Sequence, residues 1–227
     1  MKEQPVAQAS PILTKNAYAY EELRRRILSG DIEQGSVLSQ SKLAQEIGVS
    51  TTPLREALRR LAAEGMVELK SHSDARVASL TPEEAKDLYV IRENLDPLAA
   101  GLAAESRTPE DIADIEQALK QLTPLQDAAD LAAMTAHREF HRAIYTASHN
   151  PLLIGILEGL WDKADRYRQI GLQGQKDSEK DRIRVQEEHT QIAEAVISGD
   201  AVRAREIMQR HVVGSLGRRA IAVLTKN

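Results

Sequence analysis

Two runs of apolar residues at helical spacing, separated by a glycine, dominate the first third of the chain. In the first run the apolar positions recur at intervals of three and four: Leu43, Ala44 and Ile47. Ser39 is a helix-capping residue type before this run, and Gly48 ends it, because glycine readily adopts the left-handed conformation that follows a helix. Ser50 caps the second run, whose inward face is formed by Leu54, Ala57, Leu58 and Leu61. The pattern predicts two helices joined by a tight turn.

The polar residues at the start of the second helix point away from its apolar face. They are Thr51, Thr52, Arg55 and Arg59. A helix N-terminus that carries hydroxyls and an arginine can donate to phosphate and reach base edges in the major groove. The alternative is an ordinary helical hairpin with solvated charges, because helix-turn-helix geometry is only loosely encoded by spacing.

The flanking segments favour the DNA-binding interpretation. Gly65 ends the second helix, and two strand-like runs follow it, Met66–Leu69 and Arg76–Ala78, which predict a winged hairpin. Upstream, an apolar helical stripe precedes a turn that contains Gly30 and Gly35. The stripe consists of Tyr18, Leu23, Ile27 and Leu28.

The run LSGDIEQGSVLSQSKLAQEIGVSTTPLREALRRLAAEGMVEL, with the hairpin after it, resembles the winged helix-turn-helix of GntR-family bacterial transcription regulators over residues 14–80. The resemblance implies binding to double-stranded operator DNA. Arg55, with Ser50, Thr51 and Thr52, would read the major groove, while Lys42, Arg59 and the wing would hold phosphates. For the wing residue His72 a minor-groove contact and simple exposure to water remain open. The chain departs from many relatives at Ser41 and Thr51, where they carry arginine, and at His72 and Asp74, where they carry wing glycines.

Residues 81–227 show helical spacing throughout and no alternating strand pattern. Thr81, Pro82 and Glu84 predict a capping box at the start of a long helix, and Thr108 begins another helix in the same way. Further helices are predicted over residues 127–148, 151–173, 178–198 and 200–224. The predicted fold class is therefore mainly α, with an N-terminal winged helix-turn-helix and a small β-hairpin, followed by an all-α antiparallel bundle of six or so helices. Residues 1–13 are predicted to form a flexible tail.

Four of the six histidines lie in the predicted bundle helices at positions that could converge. His137 and His141 are four residues apart and share a helix face, whereas His189 and His211 lie on separate later helices. A polar or core role is the common one for a single histidine. Four imidazoles that meet inside a helical bundle could instead bind a divalent metal.

Three segments of this half resemble the FCD domain, the ligand-sensing helical domain of FadR-like GntR regulators, over residues 85–215. They are LYVIRENLDPLAAGLAA, HREFHRAIYTASHNPLL and EEHTQIAEAVISGDAVRAREIMQRHV. The resemblance implies that the metal ligands are His137, His141, His189 and His211. His137 occupies a position where relatives carry Asp or Asn, so the site has four histidines, or three with His137 turned away. Neutral imidazoles favour a divalent transition metal, zinc or nickel and also copper, over magnesium or calcium.

The same resemblance implies a small organic acid as the effector. Arg92 matches a family position that faces the metal cavity, and its planar guanidinium suits bidentate binding of a carboxylate. The alternative for Arg92 is a salt bridge, with Asp96 or with an acidic residue of another helix. Asn150 also matches a family position, and its alternative role is to cap the helix that starts at Pro151.

Two rival functions remain beside a ligand-responsive repressor that binds DNA as a homodimer. A metal-dependent hydrolase needs a glutamate directly after the first histidine of its motif, but Arg138 occupies that position and Glu139 should face away. The other rival is a regulator whose metal is purely structural.

Composition and charge add four constraints. The chain of 227 residues is 42% hydrophobic and 28% charged, which is typical of a folded protein, and it has no cysteine that could form disulfides or thiolate ligands. We expect a cytoplasmic protein with no membrane span, because neither an apolar span nor a secretion signal is present. Residues 1–80 carry 11 basic and 10 acidic side chains, a net +1, and residues 81–227 carry 19 and 24, a net −5. DNA affinity must therefore come from a local basic face.

Overall fold

The computed structural model describes residues 14–69, 74–125, 130–174 and 178–225. The chain divides into two compact units between Ala78 and Ser79, two residues before the boundary that the sequence analysis places at Leu80. The predicted tail, residues 1–13, and the predicted wing contact His72 lie outside the described residues. The first unit is called the head and the second the bundle.

The described part of the head contains three helices and three short strands. In chain order they are α1 (Lys15–Leu28), β1 (Val37–Ser39), α2 (Gln40–Ile47), α3 (Thr51–Ala63), β2 (Val67–Leu69) and β3 (Asp74–Val77). Gly48 ends α2 in the left-handed region, with φ of 77°, as the sequence predicts. Ser39 and Ser50 occupy the N-cap positions of α2 and α3, but neither side chain makes a capping hydrogen bond, so the predicted hydroxyl caps are absent.

The strands form one antiparallel sheet in the order β1-β3-β2. Val37 pairs with Arg76 and Val67 pairs with Val77, so β3 lies in the middle. The sequence predicts the β2-β3 hairpin but not β1, because a three-residue strand with one buried side chain, Leu38, has too little alternation to recognise.

The core of the head lies between α1 and α3. The predicted apolar face of α3 is buried, as are Leu23, Ile27 and Leu28 of α1. Tyr18 is a correction, because 45% of its surface is exposed and Tyr20 takes the buried position instead. The Tyr20 hydroxyl donates to the carboxylate of Glu64, which joins α1 to the end of α3.

Seven helices form the described part of the bundle. They are α4 (Pro82–Ser106), α5 (Pro109–Gln121), α6 (Leu131–Thr146), α7 (Pro151–Gly174), α8 (Glu179–Ser198), α9 (Ala201–Val213) and α10 (Leu216–Thr225). The sequence predicts one helix over residues 200–224, and the structure corrects this to α9 and α10. Gly214 caps the end of α9, and the Ser215 hydroxyl accepts a hydrogen bond from the Arg218 amide in the first turn of α10.

The two predicted capping boxes differ in the structure. Thr108 and Asp111 bond reciprocally, which gives the full box at the start of α5. At the start of α4 the Thr81 hydroxyl accepts from the Glu84 amide, but the Glu84 carboxylate bonds to Lys163 and Tyr167 of α7. The Glu84 carboxylate therefore bonds to α7 and not to the N-cap amide of α4, which is the second bond of the predicted box.

Small side chains on α4 let other helices pack closely against it. The fully buried residues include Ala99, Ala100, Ala103 and Ala104. A Cβ atom added to Gly101 would clash with the Arg205 side chain of α9, so the glycine leaves room for that side chain. Ile91 and Leu98 lie at apolar positions of helical spacing in α4, but their side chains are 44% and 37% exposed. Within the described residues, no helix combines the length and apolarity needed to cross a membrane.

Candidate functional site

Four histidines from three helices converge inside the bundle. Their imidazole ligand atoms all lie within 4.8 Å of one another, and all four residues are buried: His137 and His141 of α6, His189 of α8, and His211 of α9. This group is called the histidine cluster. The cluster includes His137, so its side chain is not turned away from the other three.

Local folding explains why these residues meet. His137 and His141 are one turn apart on α6, and their ring centroids are 4.5 Å apart. The turn at Gly199 and Asp200 reverses the chain between α8 and α9, which brings the rings of His189 and His211 to 4.6 Å. Phe140 packs edge-on against His141 and His189 and closes one side of the cluster.

The electrostatics of the cluster favour neutral imidazoles. Burial is the main cause that lowers the pKa of each histidine, and the positive charge of nearby Arg168 lowers each pKa further. Neutral imidazole is the form that binds metal ions. Several ring nitrogens have no hydrogen-bond partner within the described residues: Nδ1 of His137, both nitrogens of His141 and Nε2 of His189. Because unpaired buried polar atoms are costly, this donor set fits a transition-metal ion.

Glu188 orients the fourth histidine. Its Oε2 lies 3.0 Å from Nδ1 of His211, and its Oε1 accepts a hydrogen bond from Arg184 at 2.6 Å. Burial raises the pKa of Glu188, but the bonds to His211 and Arg184 outweigh it and leave the pKa below its usual value. The ionised carboxylate therefore accepts from the Nδ1 of His211, and Nε2 keeps its lone pair. The sequence analysis missed Glu188, although its spacing of four residues from Arg184 is a recognisable ion-pair signal.

A pocket adjoins the histidine cluster and contains about 580 Å³ of empty space, part of it open solvent. Three cluster histidines, two arginines and several apolar side chains line it, and no acidic residue does among those that the structure describes. The lining residues are Leu122, Thr123, Pro124, Leu125, His137, Arg168, Arg182, Val185, Gln186, His189, His211, Gly214 and Ser215. Arg168, which the sequence analysis missed, is buried and donates to Asp165 at 2.8 Å.

The two predicted effector residues have partners within the chain. Arg92 donates to Asp96 at 2.6 Å, and Tyr145 donates to the same carboxylate oxygen at 3.0 Å, so the structure contains the salt bridge that the sequence left as the alternative. Nη1 of Arg92 is buried and has no hydrogen-bond partner within the described residues. The Asn150 side chain accepts from the Leu153 amide at 3.2 Å and thereby caps α7. Neither residue lines the pocket described above.

The predicted DNA-facing residues of the head that the structure describes all lie on an exposed surface of α2 and α3. They are Lys42, Ser50, Thr51, Thr52, Arg55 and Arg59. Arg55 donates through Nε to the Gln40 amide oxygen at 2.9 Å, and Arg59 pairs with Glu56 at 2.7 Å. Arg76 of β3 is a further basic residue of the head, but it is half-buried and donates to the carbonyl of Gly35, so it is less available to DNA.

The surroundings of the histidine cluster lack the arrangement that a zinc hydrolase needs. Arg138, directly after the first histidine, bonds to Asp162 and Asp165 of α7. Glu139 is exposed beside Arg142 and faces away from the cluster, as the helical geometry predicts. Among the described residues, the carboxylate that contacts the cluster is Glu188, and it is already bonded to His211 and Arg184.

Comparisons with known proteins agree with this arrangement. Residues 15–77 match the bacterial regulatory proteins of the gntR family, and residues 87–214 match the FCD domain, so the second match alone spans more than half of the chain. The chain belongs to the GntR family. Its FCD domain is a ligand-binding regulatory domain, and the protein is a DNA-binding transcription regulator rather than an enzyme.

Individual relatives point to the same class of protein. The chain is 30% identical to the transcriptional repressor GlaR of Escherichia coli (strain K12) over 200 residues, 86% of this chain and 90% of GlaR. It is 31% identical to the transcriptional regulator LutR of Bacillus subtilis (strain 168) over 206 residues, 82% of this chain and 92% of LutR. The match to E. coli McbR, at 30% identity, spans 64% of that relative. The solved structure of E. coli McbR/YncC resembles this fold with a TM-score of 0.74 at 24% identity, covering 95% of this chain and 99% of that chain.

Proposed function

We propose that this GntR regulator is a metal-dependent repressor that responds to a small organic acid. The bundle binds one transition-metal ion through the histidine cluster and a carboxylate effector in the adjoining pocket. A homodimer sets two heads on a near-palindromic operator in the cytoplasm. The observation that carries the proposal is the convergence of four buried, neutral imidazoles beside a pocket whose described lining contains arginines and no acidic residue.

The donor set favours zinc or nickel among the available metals. All four ligand residues are neutral imidazoles, whereas magnesium and calcium prefer oxygen donors. When bound, the ion would supply a positive charge and a coordination position for a carboxylate. Glu188 would hold His211 in the ligand tautomer, and Phe140 would shield the cluster from water.

Effector recognition would use the cationic side chains near the cluster. Arg168 lines the pocket beside His137, and Asp165 fixes the position of its guanidinium. Arg92 would contribute positive charge and an unpaired Nη1 donor on the side of His141, whose pKa it lowers. For Asn150 we propose only the capping of α7. Binding can shift the bundle between two arrangements only as far as the effector prefers one of them.

DNA recognition would use the exposed start of α3. Arg55 and the hydroxyls of Ser50, Thr51 and Thr52 would enter the major groove, and Lys42 and Arg59 would bind phosphates. The wing residue His72 completes the proposed contacts. Two heads are needed because near-palindromic operators present two half-sites one helical turn apart.

The decisive experiment is elemental analysis of untagged protein together with the effect of Zn²⁺ and Ni²⁺ on thermal unfolding. We expect about one ion per chain and a higher melting temperature with metal, and His189→Ala should lose both. If the protein binds no metal and its melting temperature does not change, the histidines serve only in packing.

The second measurement separates a sensing metal from a structural one. Organic acids should raise the melting temperature of the metal-loaded protein further, and Arg168→Gln should remove this second shift but keep the first. If the acids act equally on the metal-free protein, the metal is structural and the pocket senses its ligand without it.

A further inference from the structure

Helix α4 carries a line of solvent-facing residues on the side opposite to its buried face. This line is called the α4 stripe, and its members are Glu83, Asp87, Val90, Ile91, Asn94 and Leu98. Most of them follow one another at intervals of three or four residues, so they share one face of the helix. The buried face on the other side includes Ala85, Leu88, Arg92 and Asp96.

The middle of the α4 stripe is apolar although water can reach it. The exposed fraction is 60% for Val90 and 44% for Ile91, and Leu98 near the end of the stripe is 37% exposed. No other helix in the described part of the chain exposes three large apolar side chains. Apolar side chains that lie together on a surface are typical of a site that another protein covers.

Helix α9 limits how far a partner could extend along this face. Gly101 follows Asn94 by seven residues and so lies on the same face, but there the Arg205 side chain of α9 covers α4. Residues 83–98 remain uncovered among the residues that the structure describes. A second helix can therefore pack along α4 only before Gly101.

The α4 stripe is complementary to itself when it is reversed about the midpoint between positions 90 and 91. In an antiparallel pair of α4 helices centred there, Val90 lies opposite the partner's Ile91, and Asp87 lies opposite the partner's Asn94. The apolar residues then meet in the middle and the polar residues lie on both sides, as in an interface with an apolar core and a polar rim. Because position 82 lies opposite position 99, the partner helix begins before it would reach the part that α9 covers.

Asn94 can bond to the partner in this arrangement. Its Nδ2 donates to the carbonyl of Val90 at 2.8 Å, and the second N–H of the same amide can donate to the carboxylate of the partner's Asp87. A parallel pair would instead place each residue opposite its own copy, so that Glu83 and Asp87 would meet like charges. The charges therefore favour the antiparallel pair.

We propose that the α4 stripe is the centre of the interface between two copies of this chain, with the two α4 helices antiparallel across a two-fold axis between positions 90 and 91. A symmetric dimer needs a surface that fits its own copy, and GntR regulators typically act as dimers. This inference rests on the proposed function, in which the repressor is a homodimer.

The first experiment is sedimentation velocity of the full chain over a range of concentrations. Ile91→Glu should weaken the dimer roughly 100-fold or more, because each dimer would bury two carboxylates against apolar side chains. Val202→Glu, at a position of α9 that is 68% exposed, is the matched control and should dimerise like the unmodified chain. Circular dichroism checks that both variants are folded.

The second experiment tests the antiparallel register by cross-linking, for which the absence of cysteine from the chain is an advantage. Asp87→Cys and Asn94→Cys each introduce a single thiol. When the two variants are coexpressed and oxidised, we expect disulfide-linked dimers. Neither variant alone should cross-link, because two copies of the same position lie about 10 Å apart along the helix axis, too far for a disulfide.

The outcomes separate this inference from the proposed function. If Ile91→Glu dimerises as tightly as Val202→Glu, the interface lies elsewhere and the proposed homodimer stands. If each cysteine variant cross-links alone as readily as the coexpressed pair, the antiparallel register is wrong. If the unmodified chain is a monomer at every concentration, the homodimer itself is wrong and this inference is wrong with it.

Discussion

Arg55 differs from other arginines of the head in the kind of partner it has. Four of these bond to glutamate side chains: Arg25, Arg26, Arg59 and Arg60. Arg55 bonds instead to the uncharged amide of Gln40, which is exposed on the neighbouring helix. Contact with DNA would therefore cost Arg55 no ion pair, which makes it the best placed of these side chains to contact a base.

Arg55→Ala should weaken operator binding and reduce discrimination against unrelated DNA. Loss of one bidentate base contact costs about 1–3 kcal/mol, roughly 5- to 150-fold in affinity for each head that binds a half-site. Fluorescence anisotropy with operator and scrambled duplexes measures both effects, and Arg203→Ala in the bundle is the matched control. Unchanged operator affinity in folded Arg55→Ala protein would show that another residue reads the bases.

Glu188→Gln should lower metal affinity without removing a metal ligand. The amide keeps the shape of the carboxylate but not its charge, so it holds the Nδ1 proton of His211 less firmly; outer-shell changes of this kind cost about 10- to 100-fold in affinity. Competition with a chelator measures the loss. Glu187→Gln, at the exposed neighbouring position, should bind metal normally, and equal affinities in the two variants would contradict the orienting role of Glu188.

The amino-acid sequence predicts which side chains lie close together where the pattern falls within a single helix. The spacing of His137 and His141 is local, and the resemblance to the FCD domain supplied His189 and His211. Arg168 was missed because its place in the pocket depends on how α7 packs against α4, α6 and α10. The same holds for Arg92, whose local pairing with Asp96 could be foreseen as an alternative but whose burial could not.

At the scale of elements, α7 connects the pocket beside the histidine cluster to the first turn of α4. Arg168 lines the pocket, and the adjacent Tyr167 contacts the start of α4. The Tyr167 hydroxyl lies 2.7 Å from Glu84 Oε2 and accepts from the Thr81 amide at 3.3 Å. Burial and the neighbouring Glu84 carboxylate raise the pKa of Tyr167, so its hydroxyl keeps its proton and can donate. A shift of α7 would therefore move the residues that directly follow the head.

Tyr167→Phe should loosen the first turn of α4 and spare the pocket. Removal of the hydroxyl leaves Glu84 with one donor fewer and should destabilise the bundle by about 1–2 kcal/mol. Hydrogen exchange should become faster in residues 81–88. Tyr89→Phe is the matched control, because the Tyr89 hydroxyl is buried with no hydrogen-bond partner in the described part of the chain. Equal exchange in both variants would contradict the contact.

Helices were predictable as elements because their caps and periodicity are local signals, as at Thr108 and Gly199. Two features depended on context. Strand β1 exists only because β3 pairs with it, and three residues carry no pattern of their own. Ile91 and Leu98 continue the apolar periodicity of α4, but no part of the described bundle covers them fully.

At the scale of the whole molecule, charge is distributed unevenly between the two units. Residues 81–227 have a net charge of −5, so the bundle contributes no general attraction to DNA. Glutamates in the head also neutralise several of its arginines, such as Arg26 beside Glu22. Affinity must therefore come from few contacts in each head, and a homodimer doubles their number.

The salt dependence of operator binding should reveal how many heads engage. Lys42 and Arg59 would give two phosphate contacts per head, so two heads would neutralise about four phosphates and predict a slope of about −4 for log affinity against log salt. One head would give about −2. Titration of a full operator and of a half-site across several salt concentrations measures both slopes. Arg59→Gln should reduce the magnitude of the full-operator slope by about 2, because the change occurs once in each head. A full-operator slope no steeper than the half-site slope would contradict binding by a homodimer.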